Sequence, residues 1–254
     1  MSMNRVLMSS AQSVHSWDEP AGIAPRGTLV LLPGRGEHGG VYERFGRRIS
    51  ADGYRVRALG DASSDPEAVA EAATKLLRDE ALPGPRVLVG SDTGASHAAR
   101  LAALDGSGPD GLILAGLPTG SRPAETATRN WEEELELRTA CPTHRGRLTD
   151  DTAFRRGALA DPSAPESPTL DTLEGISVPV LGLHGAEDTV SPLHEVRRVF
   201  RGLRGAELVS LAGTRHDVLN DVTHRTAAAT VVLFLERLRL DSGPAPIAVT
   251  EDLV

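Results

Sequence analysis

Thr28 to Leu32 (TLVLL) is a short unbroken apolar run that stops at Pro33-Gly34. Such a run, closed by a turn pair, predicts a strand buried on both faces, as in a parallel sheet. Val41 to Asp52 follows with Val41, Tyr42, Phe45 and Ile49 at helical spacing and Gly53 at the C-terminal capping position. Tyr54 to Leu59 (YRVRAL) alternates, which predicts a strand nearer an edge. Asp65-Pro66 opens the next helix, whose buried face is Val69, Ala72, Ala73, Leu76 and Leu77. Arg86 to Val89 reads as a strand, Gly90 to Gly94 as a glycine-bearing turn and Ala95 to Leu104 as an alanine-rich helix. Gly111 to Leu117, Val178 to Leu183 and Ala206 to Leu211 read as further strands, and Glu195 to Leu203 and Thr223 to Leu240 as helices. Strands alternating with helices at this spacing predict an α/β domain, a mostly parallel sheet with helices on both faces.

One stretch breaks the rhythm. Pro118 to Ile176 is charged, helix-prone over Trp131 to Arg138 and Asp150 to Leu159, and punctuated by Pro162, Pro165 and Pro168. It predicts a small helical cap inserted between two strands, dividing the chain into a core (1–117 and 177–254) and a cap (118–176); the competing reading is a surface excursion with no role. The tail after Asp241 is expected to be loose.

Composition narrows the function. The chain has 254 residues, 40% of them hydrophobic, enough for one large packed domain. A net charge of -8 gives no basic footprint for nucleic acid. The one cysteine, Cys141, excludes an internal disulfide and fits a reducing compartment. The first residues lack the apolar core and cleavage site of a leader, and no apolar run approaches the ~20 residues of a membrane helix. A cytoplasmic protein is expected, with a small-molecule substrate and no membrane or nucleic-acid partner. No metal-ligand cluster or nucleotide-binding glycine loop is legible, so no cofactor is implied.

Chemistry concentrates just past three predicted strands. Gly90-Ser91-Asp92-Thr93-Gly94 joins a strand to a helix through a G-x-D-x-G turn. Small residues in such a turn allow a sharp bend that pushes the central side chain out above the sheet at a helix N-terminus. The Asp92 carboxylate then faces the positive end of the helix dipole. Ser91 and Ser96 compete as nucleophiles, but Ser91 precedes the central position and Ser96 lies in the first helical turn. Asp188, in His184-Gly185-Ala186-Glu187-Asp188, falls where a carboxylate can orient a histidine; the competing reading is an ordinary loop aspartate. His216, in Gly213-Thr214-Arg215-His216-Asp217, follows the last strand. Nucleophile, acid and histidine in that order, each after a parallel strand, form a catalytic constellation.

These segments, with Leu31-Leu32-Pro33-Gly34-Arg35-Gly36-Glu37-His38-Gly39-Gly40-Val41-Tyr42, resemble the α/β-hydrolase superfamily and within it the monoacylglycerol lipase and lysophospholipase branch. The first segment is similar to that branch's H-G-x-G-E-H-S-x-x-Y signature and the last to its G-x-x-H-E-x-x-N-E ending. The resemblance implies the α/β-hydrolase fold, a catalytic Asp188–His216 pair, and an oxyanion hole of backbone donors at Arg35 and Thr93. Two residues depart from the pattern: Pro33 replaces the usual histidine, and Asp92 replaces serine. Aspartate at that position resembles the haloalkane dehalogenases and epoxide hydrolases of the same superfamily.

The replacement changes the chemistry. A carboxylate attacking an ester forms a high-energy mixed anhydride, whereas attack on saturated carbon forms an ordinary alkyl ester. His216 then draws a proton from the water that hydrolyses it. Asp92 therefore suits halide displacement or epoxide opening. Dehalogenases usually follow the nucleophile with a tryptophan; here Thr93 stands there, leaving Trp131 in the cap as a substitute. Epoxide hydrolases use cap tyrosines, but Tyr42 and Tyr54 lie outside the predicted cap, leaving Arg35, His38, Cys141 and His144 as candidate acids. Arg35 is also a candidate for holding an anionic group; the competing reading is a solvent-facing arginine. Glu37 and His38 support their loop in this reading, and His97 is structural. Three alternatives stay open: Asp92 as base in an elimination or cyclisation, a binding or accessory protein on a hydrolase scaffold, and lipase or esterase activity as in the serine branch.

Overall fold

The computed structural model describes residues 13–104, 108–120, 130–161, 168, 170–240 and 247–249. Its strands are β1 (His15–Trp17), β2 (Gly27–Leu32), β3 (Tyr54–Ala58), β4 (Arg86–Ser91), β5 (Gly111–Ala115), β6 (Val180–Gly185) and β7 (Ala206–Leu211). Its helices are α1 (Glu43–Ala51), α2 (Pro66–Arg78), α3 (Thr93–Ala102), α4 (Trp131–Arg138), α5 (Pro142–Asp150), α6 (Leu170–Glu174), α7 (Leu193–Phe200) and α8 (His224–Arg239). The strands form one seven-stranded sheet in the order β1-β3-β2-β4-β5-β6-β7. β1 pairs antiparallel with β3, and every other pairing is parallel.

The apolar runs become central strands because both faces need cover. Leu29, Leu31, Val87, Val89, Ile113, Leu181 and Leu183 face α1 and α8, packing on Phe45, Ile49, Val231 and Leu235. Val30, Leu32, Leu88, Leu112, Leu114 and Val180 face the other way, onto Val69, Ala73 and Leu77 of α2, Ala95 and Ala98 of α3, and Val196 and Phe200 of α7. Each such side chain, fully buried, contributes roughly 1.5–3 kcal/mol of transfer free energy. Asp65 caps α2 by accepting from the Ala68 N–H, and Pro66 occupies its first turn, as expected.

Some boundaries differ from expectation. The second helix of the β5–β6 segment is α5, Pro142–Asp150, not Asp150 to Leu159. Pro142 can open a helix because its missing N–H is unneeded there. The later residues turn at Gly157, at φ 82°, into a 3-10 turn over Ala158–Ala160. β5 stops at Ala115 because Gly116 adopts φ 58°. α3 begins at Thr93, two positions before the expected start. The alternating strand β3 lies one place in from the edge, covered by the three-residue β1. Pro162, Pro165 and most of the C-terminal tail lie outside the described residues. Among the described residues no helix is long and apolar enough to cross a membrane.

Parallel connections place the loops after β2, β4, β6 and β7 at one end of the sheet, where Arg35, Asp92, Asp188 and His216 stand.

Candidate functional site

The turn after β4 is built by two glycines that no other residue can replace. A Cβ on Gly90 meets Gly94 O at 2.3 Å, and one on Gly94 meets Leu32 O at 2.2 Å. Asp92 between them is the one non-glycine at positive φ among the described residues, at φ 49° and ψ −123°. That conformation costs about 1–3 kcal/mol and persists where packing enforces it. It delivers the carboxylate to the α3 N-terminus, above the sheet. The Ser91 hydroxyl is turned to Tyr42, and Ser96 Oγ is buried without a hydrogen-bond partner among the described residues.

The structure brings the sequence-predicted residues together. His216 Nδ1 lies 2.8 Å from Asp188 Oδ2, and His216 Nε2 lies 3.1 Å from Asp92 Oδ1. The Nε2 contact is close but off hydrogen-bond alignment. Asp188 Oδ1 accepts the N–H groups of Val190 and Ser191, both at 2.9 Å. His184 Nε2 sits 3.2 Å from Asp188 Oδ2 and 2.7 Å from Ser191 O. Thr93, the second expected oxyanion donor, opens α3, where helix geometry leaves the first N–H groups without intrahelical acceptors.

Arg35 is the surprise. It is 5% exposed, not solvent-facing, and its whole edge closes on Asp92. Nε donates to Oδ2 at 2.6 Å, Nη2 to Oδ1 at 2.5 Å, and the backbone N–H to Oδ2 at 3.0 Å. The expected oxyanion donor of Arg35 therefore holds Asp92's own Oδ2, while Oδ1 is shared between the guanidinium and His216.

The charges stabilise one another. Burial pushes the Asp92 carboxyl up, but Arg35 and His216 outweigh it and hold the group well below the usual carboxylate range. Burial pulls the His216 imidazolium down, but Asp188 and Asp92 overcome it and push the pKa up to about 10. The linked stability is complete below the ordinary histidine value of 6.5 and is lost as pH rises through about 10. Between those limits the folded state holds a proton that the unfolded state has released. Unfolding free energy is thus expected to fall by about 1.4 kcal/mol per pH unit through this group. Urea titrations at several pH values check this, and His216→Gln removes that component of the slope.

Behind the site lies a buried network that sequence reasoning missed. Arg138, on α4, is fully buried and donates to Arg35 O at 3.0 Å and, through Nε and Nη2, to Glu134 Oε1 at 3.1 and 3.0 Å. Its Nη1 lies 3.6 Å from Asp217 Oδ1 and 3.8 Å from Glu37 Oε1. The Asp217 N–H donates to Arg138 O at 2.8 Å. Arg138 thus ties the β5–β6 segment to both the Arg35 loop and the His216 loop. Tyr42 donates to Glu37 Oε2, and burial first, then the Asp217 charge, pushes the Glu37 carboxyl up to about 8. Glu37, His144 and Asp217 offer ligand atoms within 4.8 Å of one another, a juxtaposition not legible in the sequence. The Arg138 cation already faces Glu37 and Asp217, which disfavours a metal ion there.

The remaining candidates are engaged elsewhere. His144 Nε2 is 3.1 Å from Asp217, and His38 Nε2 is 2.8 Å from Asp151. Cys141 is buried beside Arg44. Trp131 gives its indole N–H to Thr149 and packs on Phe154 and Arg156, so that donor is not free for a halide. The signal for Arg138 and Glu134 was their four-residue spacing on one helix, which reads equally as a solvated pair.

No protein-family model matches the sequence, and no curated protein matches it. Solved structures do. A monoacylglycerol lipase from Paleococcus ferrophilus superposes with a TM-score of 0.69 at 16% identity, over 89% of this chain and 100% of that one. A soluble variant of the Saccharomyces cerevisiae monoglyceride lipase gives 0.67 at 15%, over 89% and 91%. The enol-lactonase from Burkholderia xenovorans LB400 gives 0.65 at 18%, over 88% and 96%. With its sheet order and the helices on both faces, the chain has the α/β-hydrolase fold.

Proposed function

We propose that this chain is a hydrolase of small organic molecules in which Asp92 is a covalent nucleophile, Asp188 and His216 complete the triad, and the β5–β6 segment caps the site. One observation carries the reading: the two oxygens of Asp92 are differentiated. Oδ2 accepts the Arg35 N–H where an oxyanion hole stabilises a carbonyl oxygen, while Oδ1 faces His216 Nε2. A carboxylate held this way presents one oxygen for attack and keeps the other in place for the tetrahedral stage of ester hydrolysis.

The steps follow from the charges. Oδ1 forms a bond to a saturated carbon, and the bond from that carbon to its leaving group breaks, the electron pair departing with the group. Asp92 becomes a neutral ester, so His216 loses one of the two carboxylates that hold its pKa near 10 and releases its proton to solvent. Neutral His216 then takes a proton from water, which attacks the ester carbon, and Oδ2 carries the developing charge on the Arg35 and Thr93 N–H groups. Collapse expels the alcohol, protonated by His216. The regenerated carboxyl group returns its proton to the imidazole. The low pKa of Asp92 disfavours the elimination or cyclisation alternative, because so weak a base has little driving force for proton abstraction. Attack on an ester meets the anhydride barrier, which counts against lipase-like turnover.

A second reading, a binding scaffold without turnover, draws on a different fact: the Arg35 guanidinium occupies both carboxylate oxygens, and Asp92 is only 3% exposed. A single turnover in ¹⁸O-water separates the readings. Covalent hydrolysis places the label in the Asp92 carboxylate, detected in its peptide by mass. Turnover that labels only the product contradicts the nucleophile, and no turnover on a substrate panel supports the scaffold.

A further inference from the structure

We infer that the Arg35 guanidinium is the receptor for the departing anion, so that the substrate class is a neutral alkyl compound whose leaving group departs as a stable anion, such as an alkyl halide. This rests on the covalent reading of Asp92.

The inference follows from conservation of buried charge. Asp92 is the one carboxylate that Arg35 hydrogen-bonds among the described residues. The other buried cations facing the site have partners of their own: His216 has Asp188, and Arg138 has Glu134 with Asp217 and Glu37 nearby. Alkylation at Oδ1 removes the carboxylate that Arg35 hydrogen-bonds and leaves the buried guanidinium with the weaker field of Asp161, which it does not hydrogen-bond, an arrangement proteins avoid. The same step creates one negative charge, on the leaving group. Total charge is unchanged if the guanidinium passes from Asp92 to that anion, whereas a substrate carrying its own carboxylate would add an unpaired charge to the pocket. Arg35 already lies against Oδ1, beside the bond that must break.

A halide and an epoxide make different demands on these residues. An opening epoxide leaves an alkoxide that needs a proton, which an arginine does not give up and for which the protonated His216, 3.1 Å from Asp92 Oδ1, is the donor beside the reacting atom. Tyr42 donates its hydroxyl to Glu37, and Tyr54 donates to Glu236 at 2.5 Å. Halide release needs only a positive donor.

The test uses bromide on the whole chain, without turnover. Bromide is titrated calorimetrically at fixed ionic strength into the wild type, Asp92→Asn and Asp92→Asn/Arg35→Met, and crystals of each are soaked for anomalous scattering. Asp92→Asn should bind bromide about tenfold more tightly than the other two, with the ion on the guanidinium, because its own carboxylate no longer fills Arg35. The double variant removes both charges, so it strands neither. Should Asp92→Asn fail to fold, Asp92→Ala and its Arg35→Met counterpart give the same comparison. Equal bromide binding with and without Arg35 marks an adventitious ion only and overturns the proposal, as does bromide sited away from Arg35. Bromide on Arg35 with unlabelled Asp92 in the ¹⁸O experiment would sink the nucleophile alone. A labelled Asp92 without bromide binding would sink the anion receptor alone.

Discussion

Asp92→Asn is expected to abolish hydrolysis, with a loss of about 10⁴-fold or more in kcat/KM on any substrate the wild type turns over. An amide oxygen is a poor nucleophile and cannot return as a free carboxylate. The same substitution is expected to destabilise the fold, because it leaves Arg35 charged and unpaired in a buried site; such losses run to about 3–5 kcal/mol. Adding Arg35→Met should restore most of that stability without restoring activity. A double-mutant cycle on urea midpoints, run beside steady-state kinetics, separates the two effects. If Asp92→Asn retains wild-type activity, the elbow residue is not the nucleophile. If stability does not recover in the double variant, the ion pair is not the source of the loss.

His216→Ala carries the second large effect, and its signature is specific. Alkylation needs only the carboxylate, so one equivalent of leaving group should still be released. Hydrolysis of the alkyl-enzyme should slow by about 10²–10⁴-fold, the usual contribution of a positioned general base. A stoichiometric burst followed by near-arrest, seen as halide release against enzyme concentration, is the expected record. Uniform loss without a burst would make His216 necessary for the first step instead. The two variants thus block opposite halves of one cycle.

Much of this arrangement was legible in the sequence. The strand from Thr28 to Leu32 and those ending near Asp92 and Asp188 are apolar runs with few competing conformations, the one before His216 is a mixed edge strand, and parallel order then places their C-terminal loops together. The elbow was legible because a sharp turn leaves a chemical record in Gly90 and Gly94, each of which touches backbone where a side chain cannot fit. The direction of Arg35 was not legible. Whether a loop arginine faces solvent or turns inward depends on a carboxylate 57 positions away. Glu134 and Arg138 were not legible for the same reason: four positions apart on α4 they fit a solvated pair equally well, and only contacts with Arg35 O and Asp217 make them a buried junction. α5 was misplaced because its helix depends on Leu148 and His144 being buried by distant partners more than on any periodic face of its own.

The most direct test of the covalent account is intact-mass analysis of His216→Ala after exposure to short bromoalkanes, styrene oxide and p-nitrophenyl acetate, with peptide mapping of any modified protein. The account predicts a mass increase of one alkyl group from a bromoalkane, without the bromine, mapping to Asp92. An unmodified mass throughout the panel, or an adduct mapping to a residue other than Asp92, would contradict it.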